Sequence, residues 1–183
     1  MTQLDLTIAG VGGQGSILAG VILGSAAVTY DGKFAVQTQA YSSELRGGFA
    51  ATWVIISDKP IVFPRVTRPD ILIAQAQDSI SRFAGTLKPE GSLIIDADMV
   101  HRIPQGVNRI YEVHATTTAH QKLKAPVTAN MIVLGALCRV TGIVSREALE
   151  KAISAASPQG KDRLNLEAFE LGFEGVKKRD AAP

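Results

Sequence analysis

The chain of 183 residues holds one cysteine, Cys138, three histidines and few aromatic residues, 5% of the total. One thiol closes no internal disulfide and cannot by itself carry an iron–sulfur cluster or a cysteine-rich zinc site. Charge of one sign is missing too: 19 Lys+Arg stand against 17 Asp+Glu, a net of +2, and the basic residues are scattered except at Lys177, Lys178 and Arg179. That balance argues against an electrostatic nucleic-acid binder. The longest apolar run near the start, residues 17–28, is interrupted by Gly20 and Gly24 and follows a glycine-rich turn without a basic leader. It is too short for a membrane span and lacks the flanks of a signal peptide, so no membrane association is expected and the cytoplasm is the expected compartment.

What is present suffices for a core. Hydrophobic residues make up 46% and charged residues 20%, and the mean hydropathy is +0.15. With 17 glycines and eight prolines the composition is ordinary, which excludes global disorder and predicts one compact domain over residues 1–178 with a polar tail at 179–183.

Residues 4–9 are rich in branched side chains, residues 10–15 break the pattern, and residues 16–30 are helix-compatible, so the chain opens as strand, tight turn, helix. Ala19, Gly20, Gly24, Ala26 and Ala27 let that helix approach a sheet closely. Asp31-Gly32 is turn chemistry and leads to a strand over residues 34–39. A polar loop, residues 40–48, feeds an apolar strand over residues 49–56, expected to be central, with a short return strand at residues 61–63. Further strands at residues 70–75, 93–95 and 109–113 alternate with a helix carrying Ile80, Phe83, Ala84 and Leu87 on one face. Helices then follow at residues 130–141, 145–156, capped by Ser145, and 163–177, with a frayed tail after Val176. The expected fold is α/β: a Rossmann-like single domain, a mixed, mostly parallel sheet flanked by helices, and a helical C-terminal part.

Gly10, Gly12 and Gly15 satisfy G-x-G-x-x-G, with Gly13 added, in the right place between strand and helix. Glycines permit positive φ and close approach, and the amides at the helix start near Gly15 and Ser16 can hold an anion. The same glycines serve equally to seat the helix on the sheet or to let a partner chain approach. A dinucleotide site adds an acidic residue roughly 20 positions on. Here the second strand ends in Gln37, Thr38 and Gln39, and Asp31 precedes it. The absence of Gly-Lys-Ser/Thr excludes a Walker A loop.

The run Gly10-Val11-Gly12-Gly13-Gln14-Gly15, followed by Ser43-Glu44-Leu45-Arg46-Gly47-Gly48, resembles the gamma subunit of the 2-oxoacid:ferredoxin oxidoreductases. The likeness continues through Pro69-Asp70, the helix with Leu134-Gly135 and the late helix from Asn165 to Gly172, in the family's order and spacing. The resemblance implies a subunit of a complex that oxidatively decarboxylates a 2-oxoacid to its acyl-CoA and passes electrons to ferredoxin. Its implied partners are alpha, beta and ferredoxin-like subunits, and ferredoxin through the complex. Thiamine diphosphate, Mg, an iron–sulfur cluster and CoA belong to that complex, but no cofactor is expected on this chain alone. Cys138 cannot make a cluster, and the G-D-G…Asn signature for magnesium and thiamine diphosphate does not occur. Aryl pyruvate, pyruvate, a branched oxoacid and 2-oxoglutarate all remain open as substrates, although a short separate gamma chain looks most like the 2-oxoglutarate type.

The candidate binding residues are therefore Gly10, Gly12, Gly13, Gln14, Gly15, Ser16, Glu44, Arg46, Gly47 and Gly48, with no catalytic or metal-ligating residue. Arg46 can meet a carboxylate or a CoA phosphate in bidentate fashion with Glu44 orienting it, or the pair can stiffen the loop and dock a subunit. His101, His114 and His120 lack metal spacing and read as surface or capping residues. Cys138 reads as a buried, inert thiol. Asn130 is expected to cap its helix, although the resemblance places it near the glycine turn. Lys161 and Asn165 could complete a basic rim or be an ordinary helix start. Two competing readings are a freestanding NAD(P)- or FAD-binding oxidoreductase and a pure assembly scaffold.

Overall fold

The computed structural model describes residues 3–42 and 48–179. Its centre is a seven-stranded sheet in the order β2-β3-β1-β4-β5-β6-β7. These are β1 (Gln3–Val11), β2 (Phe34–Tyr41), β3 (Phe49–Ser57), β4 (Ile71–Ala74), β5 (Ser92–Asp96), β6 (Arg109–Val113) and β7 (Lys177–Arg179). β1, β4, β5 and β6 run parallel, while β3 is antiparallel to β1, β2 to β3, and β7 to β6. β4 and β5 are buried throughout, which explains their unbroken apolar runs: parallel strands are covered on both faces.

Helices divide between those faces. On one lie α1 (Ser16–Ser25), α4 (Ala129–Thr141), α5 (Arg146–Ala156) and α6 (Asp162–Gly175), burying Leu6, Ile8, Val54, Ile56, Ile73 and Ile94 of the sheet. α2 (Gln77–Phe83) covers the other with Ile80, against Leu72, Ala74, Leu93 and Ile95. The one-turn α3 (Ala115–Thr117) continues as a wider turn to Lys122. Backbones meet where α4 crosses α6: a Cβ on Gly135 would lie 1.9 Å from the Phe169 carbonyl oxygen, and one on Gly172 would lie 1.8 Å from that of Ile132. Only hydrogen fits at either place. Ser145 caps α5 by accepting from the Ala148 amide at 3.1 Å, and its own N–H and hydroxyl donate to Asp31, each at 2.6 Å. Asp31 thus ties the exit of α1 to the start of α5.

Three expectations need correction. Residues 61–63 form no return strand, because β1 and β2 already occupy both sides of β3 along its length, and Pro60 and Pro64 remove donors on both sides. β3 is interior but not central, since β4 holds the middle position. Residues 177–179 are not frayed: β7 pairs with Ile110, Tyr111 and Glu112 of β6, and Arg179 meets Glu112 at 3.7 Å. A ladder uses backbone groups, so polar side chains do not prevent it.

Candidate functional site

β1 and β4 are parallel neighbours whose helices leave to opposite faces, so a crevice opens between their carboxyl ends, where open α/β sheets bind ligands. The glycine turn fills one side of it. Gly13 and Gly15 take φ of +99° and +75°, which side-chain-bearing residues rarely adopt. Gly10 serves differently: a Cβ there would lie 2.5 Å from Gln14 Oε1 and 2.7 Å from Ser16 Oγ, so its bareness makes room for the turn's own side chains.

Those side chains are engaged. Gln14 Oε1 accepts from the Val11 amide at 2.8 Å while Gln14 Nε2 donates to the Gln75 carbonyl at 2.9 Å. The Ser16 hydroxyl donates to Gln75 Oε1 at 2.6 Å. Gln75, 2% exposed and directly after β4, thus clamps the turn from across the switch point. Sequence reading missed it; the available signal was an uncharged polar residue at the carboxyl end of an apolar strand.

Asn130 does not cap its helix. Its Nδ2 donates to the Gly15 carbonyl at 3.4 Å, and its Oδ1 is buried without a hydrogen-bond partner. Packing α4 against α1 brings these residues together, which local capping chemistry could not foresee. On the β3 side of the turn, away from β4, the Gly12 amide donates to the Gly48 carbonyl at 2.8 Å, and the Ser42 amide to that of Phe49 at 3.0 Å. The end of the polar loop is therefore pinned to the glycine turn. Glu44, Arg46 and Gly47 lie outside the described residues. α1 begins at Gly15 without a side-chain cap or an acidic residue in its first turn, leaving the positive end of its dipole facing the crevice.

A ribose anchor has no place here. β3 separates β2 from β1, which puts the end of the second strand about 10 Å from the turn at the usual strand spacing. Gln37 donates to Thr52 Oγ1 at 2.7 Å, and Asp31 is held by Ser145.

Two carboxylates lie farther along the carboxyl edge. Asp96 is pushed upward by burial, against hydrogen bonds from the Thr116 hydroxyl at 2.6 Å and the Ala115 and Thr116 amides. For Asp98 burial also works upward, but the hydrogen bonds it accepts from His114 and Thr117 outweigh it and hold the carboxyl below its usual range. His114 Nδ1 lies 2.6 Å from Asp98. Together they brace the start of α3. Burial pushes the Cys138 thiol up to about 11, which makes it a poor nucleophile. Asn165 spends its amide on Ser157 at 2.8 Å. Among the described residues no group of three His, Cys, Asp or Glu side chains could hold a metal ion. Nor is any described helix long and apolar enough to cross a membrane.

Strand order, helix layers and glycine turn define the class: a Rossmann-like α/β domain with its crevice at the carboxyl edge. The chain belongs to the pyruvate ferredoxin/flavodoxin oxidoreductase family, whose model matches residues 5–175. It is 44% identical over 176 residues to the 2-oxoglutarate synthase subunit KorC of Methanocaldococcus jannaschii, covering 95% of this chain and 94% of that one. It is also similar to the solved gamma subunit of a keto/oxoacid ferredoxin oxidoreductase from Geobacter sulfurreducens PCA, with 39% identity and a TM-score of 0.87 over 96% of this chain and 97% of that one. The same fold occurs in the 2-oxoglutarate:ferredoxin oxidoreductase of Magnetococcus marinus, solved with 2-oxoglutarate, coenzyme A and succinyl-CoA bound. There the identity is 25% and the TM-score 0.83, over 95% of this chain but 31% of that longer one.

Proposed function

We propose that this chain is the noncatalytic gamma subunit of a 2-oxoglutarate:ferredoxin oxidoreductase, which decarboxylates 2-oxoglutarate oxidatively to succinyl-CoA and passes the electrons to ferredoxin. Its work is assembly with the alpha, beta and ferredoxin-like subunits and completion of an anion-binding crevice for CoA. Thiamine diphosphate and the iron–sulfur clusters would belong to the partner chains. One observation carries the crevice: the Gly12–Gly48 hydrogen bond, which joins the turn at residues 10–16 to the end of the loop containing Glu44 and Arg46. The uncapped start of α1 and the unpaired Asn130 oxygen are compatible with a polar ligand there. Support for 2-oxoglutarate comes from the KorC relative, matched over nearly the whole of both chains. The Magnetococcus chain, of which this fold is about a third, supports a longer partner chain as the neighbour of this domain.

The holoenzyme provides the test, with ferredoxin reduction measured against 2-oxoglutarate, pyruvate and CoA. The expected result is the highest kcat/KM for 2-oxoglutarate, no turnover by the isolated chain, and an apparent CoA constant raised about tenfold in Arg46→Ala, the loss of one charge-assisted contact. A second reading, the pure scaffold, is favoured by the Gln75 clamp, which gives the turn an internal purpose. It predicts an unchanged CoA constant with weaker assembly. Tight NAD(P) or flavin binding by the chain alone would overturn both.

A further inference from the structure

The two edges of the sheet are treated in opposite ways. β7 is three residues long and entirely basic, Lys177-Lys178-Arg179, the usual protection of an open edge against pairing. β2 is eight residues long, FAVQTQAY, with neither a charge nor a proline, and no strand among the described residues pairs with its outer side. Lys33, just before it, is turned inward onto the Ile143 carbonyl. The helix beside that strand is bare as well. Residues 6–30 contain no charged side chain, and the outward side of α1 and its continuation shows Leu18, Val21 and Val28 at 46%, 47% and 50% exposure. Tyr41, at the end of β2, is 67% exposed. It shares a sheet face with Ala35, which packs into the core on the helix side. An apolar helix side next to an unprotected strand edge is the signature of a covered surface.

We infer that the outer side of α1 and the edge of β2 form the docking surface for the longer partner chain of the oxidoreductase. This rests on the gamma-subunit reading. The occupant is argued from continuity: Leu18 lies in the first turn of α1, three residues beyond Gly15, and Tyr41 opens the loop whose end is pinned at Gly48. The surface therefore reaches the start of α1 and the β3 side of the glycine turn, and a chain seated on it borders that turn. That is where a subunit lacking its own redox centre needs the chain that supplies one. The partner surface should be apolar and uncharged, with an extended segment able to pair with β2.

Co-expression of the tagged chain with the remaining subunits tests this. Leu18→Asp/Val21→Asp should recover at least tenfold less of the longer chain than wild type, whereas Lys178→Asp on the opposite edge should recover it unchanged. Hydrogen exchange on the wild-type complex provides a readout without substitutions: amides of β2 should gain protection relative to the free chain. A double variant that assembles normally, or β2 amides unprotected in the complex, overturns the surface while leaving the subunit reading intact. Failure of the wild-type chain to join any such complex overturns the reading and the surface with it. A stable dimer of the free chain that is broken by the double variant makes a second copy the occupant and also overturns the proposal.

Discussion

Helices α1 and α4 share a sequence character and differ in surroundings. Both are apolar almost all round, α1 without a charge and α4 with Arg139 alone. α4 lies between the sheet and α6, so every residue from Asn130 to Cys138 is buried. α1 has the sheet on one side and no described residue over Leu18 and Val21 on the other. The difference teaches that an all-apolar helix is a statement about how many sides will be covered, and for α1 the proposed partner chain would supply the side that the described residues leave open.

Glycine substitutions probe that contrast most sharply. Gly135→Ala drives a methyl into the Phe169 carbonyl, and because the neighbour is backbone it cannot swing aside. We expect a loss of about 3 kcal/mol or more, seen as a collapse of the urea midpoint. Gly24→Ala in α1 meets nothing within 4 Å and has an ordinary helical φ. It should stabilise the chain by about 0.5–1 kcal/mol through propensity and the unfolded state. Equal effects at the two positions would break the comparison.

A smaller effect sharpens the contrast between helix starts. α1 begins uncapped, whereas Asp98 braces the start of α3 and has its carboxyl held below the usual range. A depressed folded value means the stabilisation is present above the ordinary carboxylate value, about 3.9, and is lost as pH falls through the folded one. Denaturation midpoints measured from pH 5 downward should therefore drop, and Asp98→Asn should flatten that slope. An identical slope in the variant would remove Asp98 from the account.

Much of the fold was legible because burial writes itself into spacing. The unbroken runs of β4 and β5, the turn from residue 10 to 15 and the cap at Ser145 each follow from local chemistry and appear where local chemistry puts them. The errors share a cause. β7 was read as a tail because its side chains are polar, although the open edge of β6 needed only its backbone. Residues 61–63 looked like a return strand, but β3, the strand they would fold back on, is already paired on both sides. For the candidate site, the glycines and Ser16 were legible and the resemblance put Asn130 near the turn, but Gln75 was missed and local chemistry gave Asn130 a capping role it does not have. Ser16 and Gln75 lie 59 residues apart, and Gly15 and Asn130 lie 115 apart.

Taken alone, the sequence determined the class of fold, the presence of a glycine-rich turn between the first strand and helix, and the single thiol that cannot by itself carry an iron–sulfur cluster. Those are properties of composition and of neighbours along the chain. Tertiary structure decided which side chains close the turn, which glycines admit a second backbone, and which strand edge stays bare. These depend on the order of strands and the crossing of helices, where groups far apart in sequence come within a few ångströms and no local pattern records the meeting.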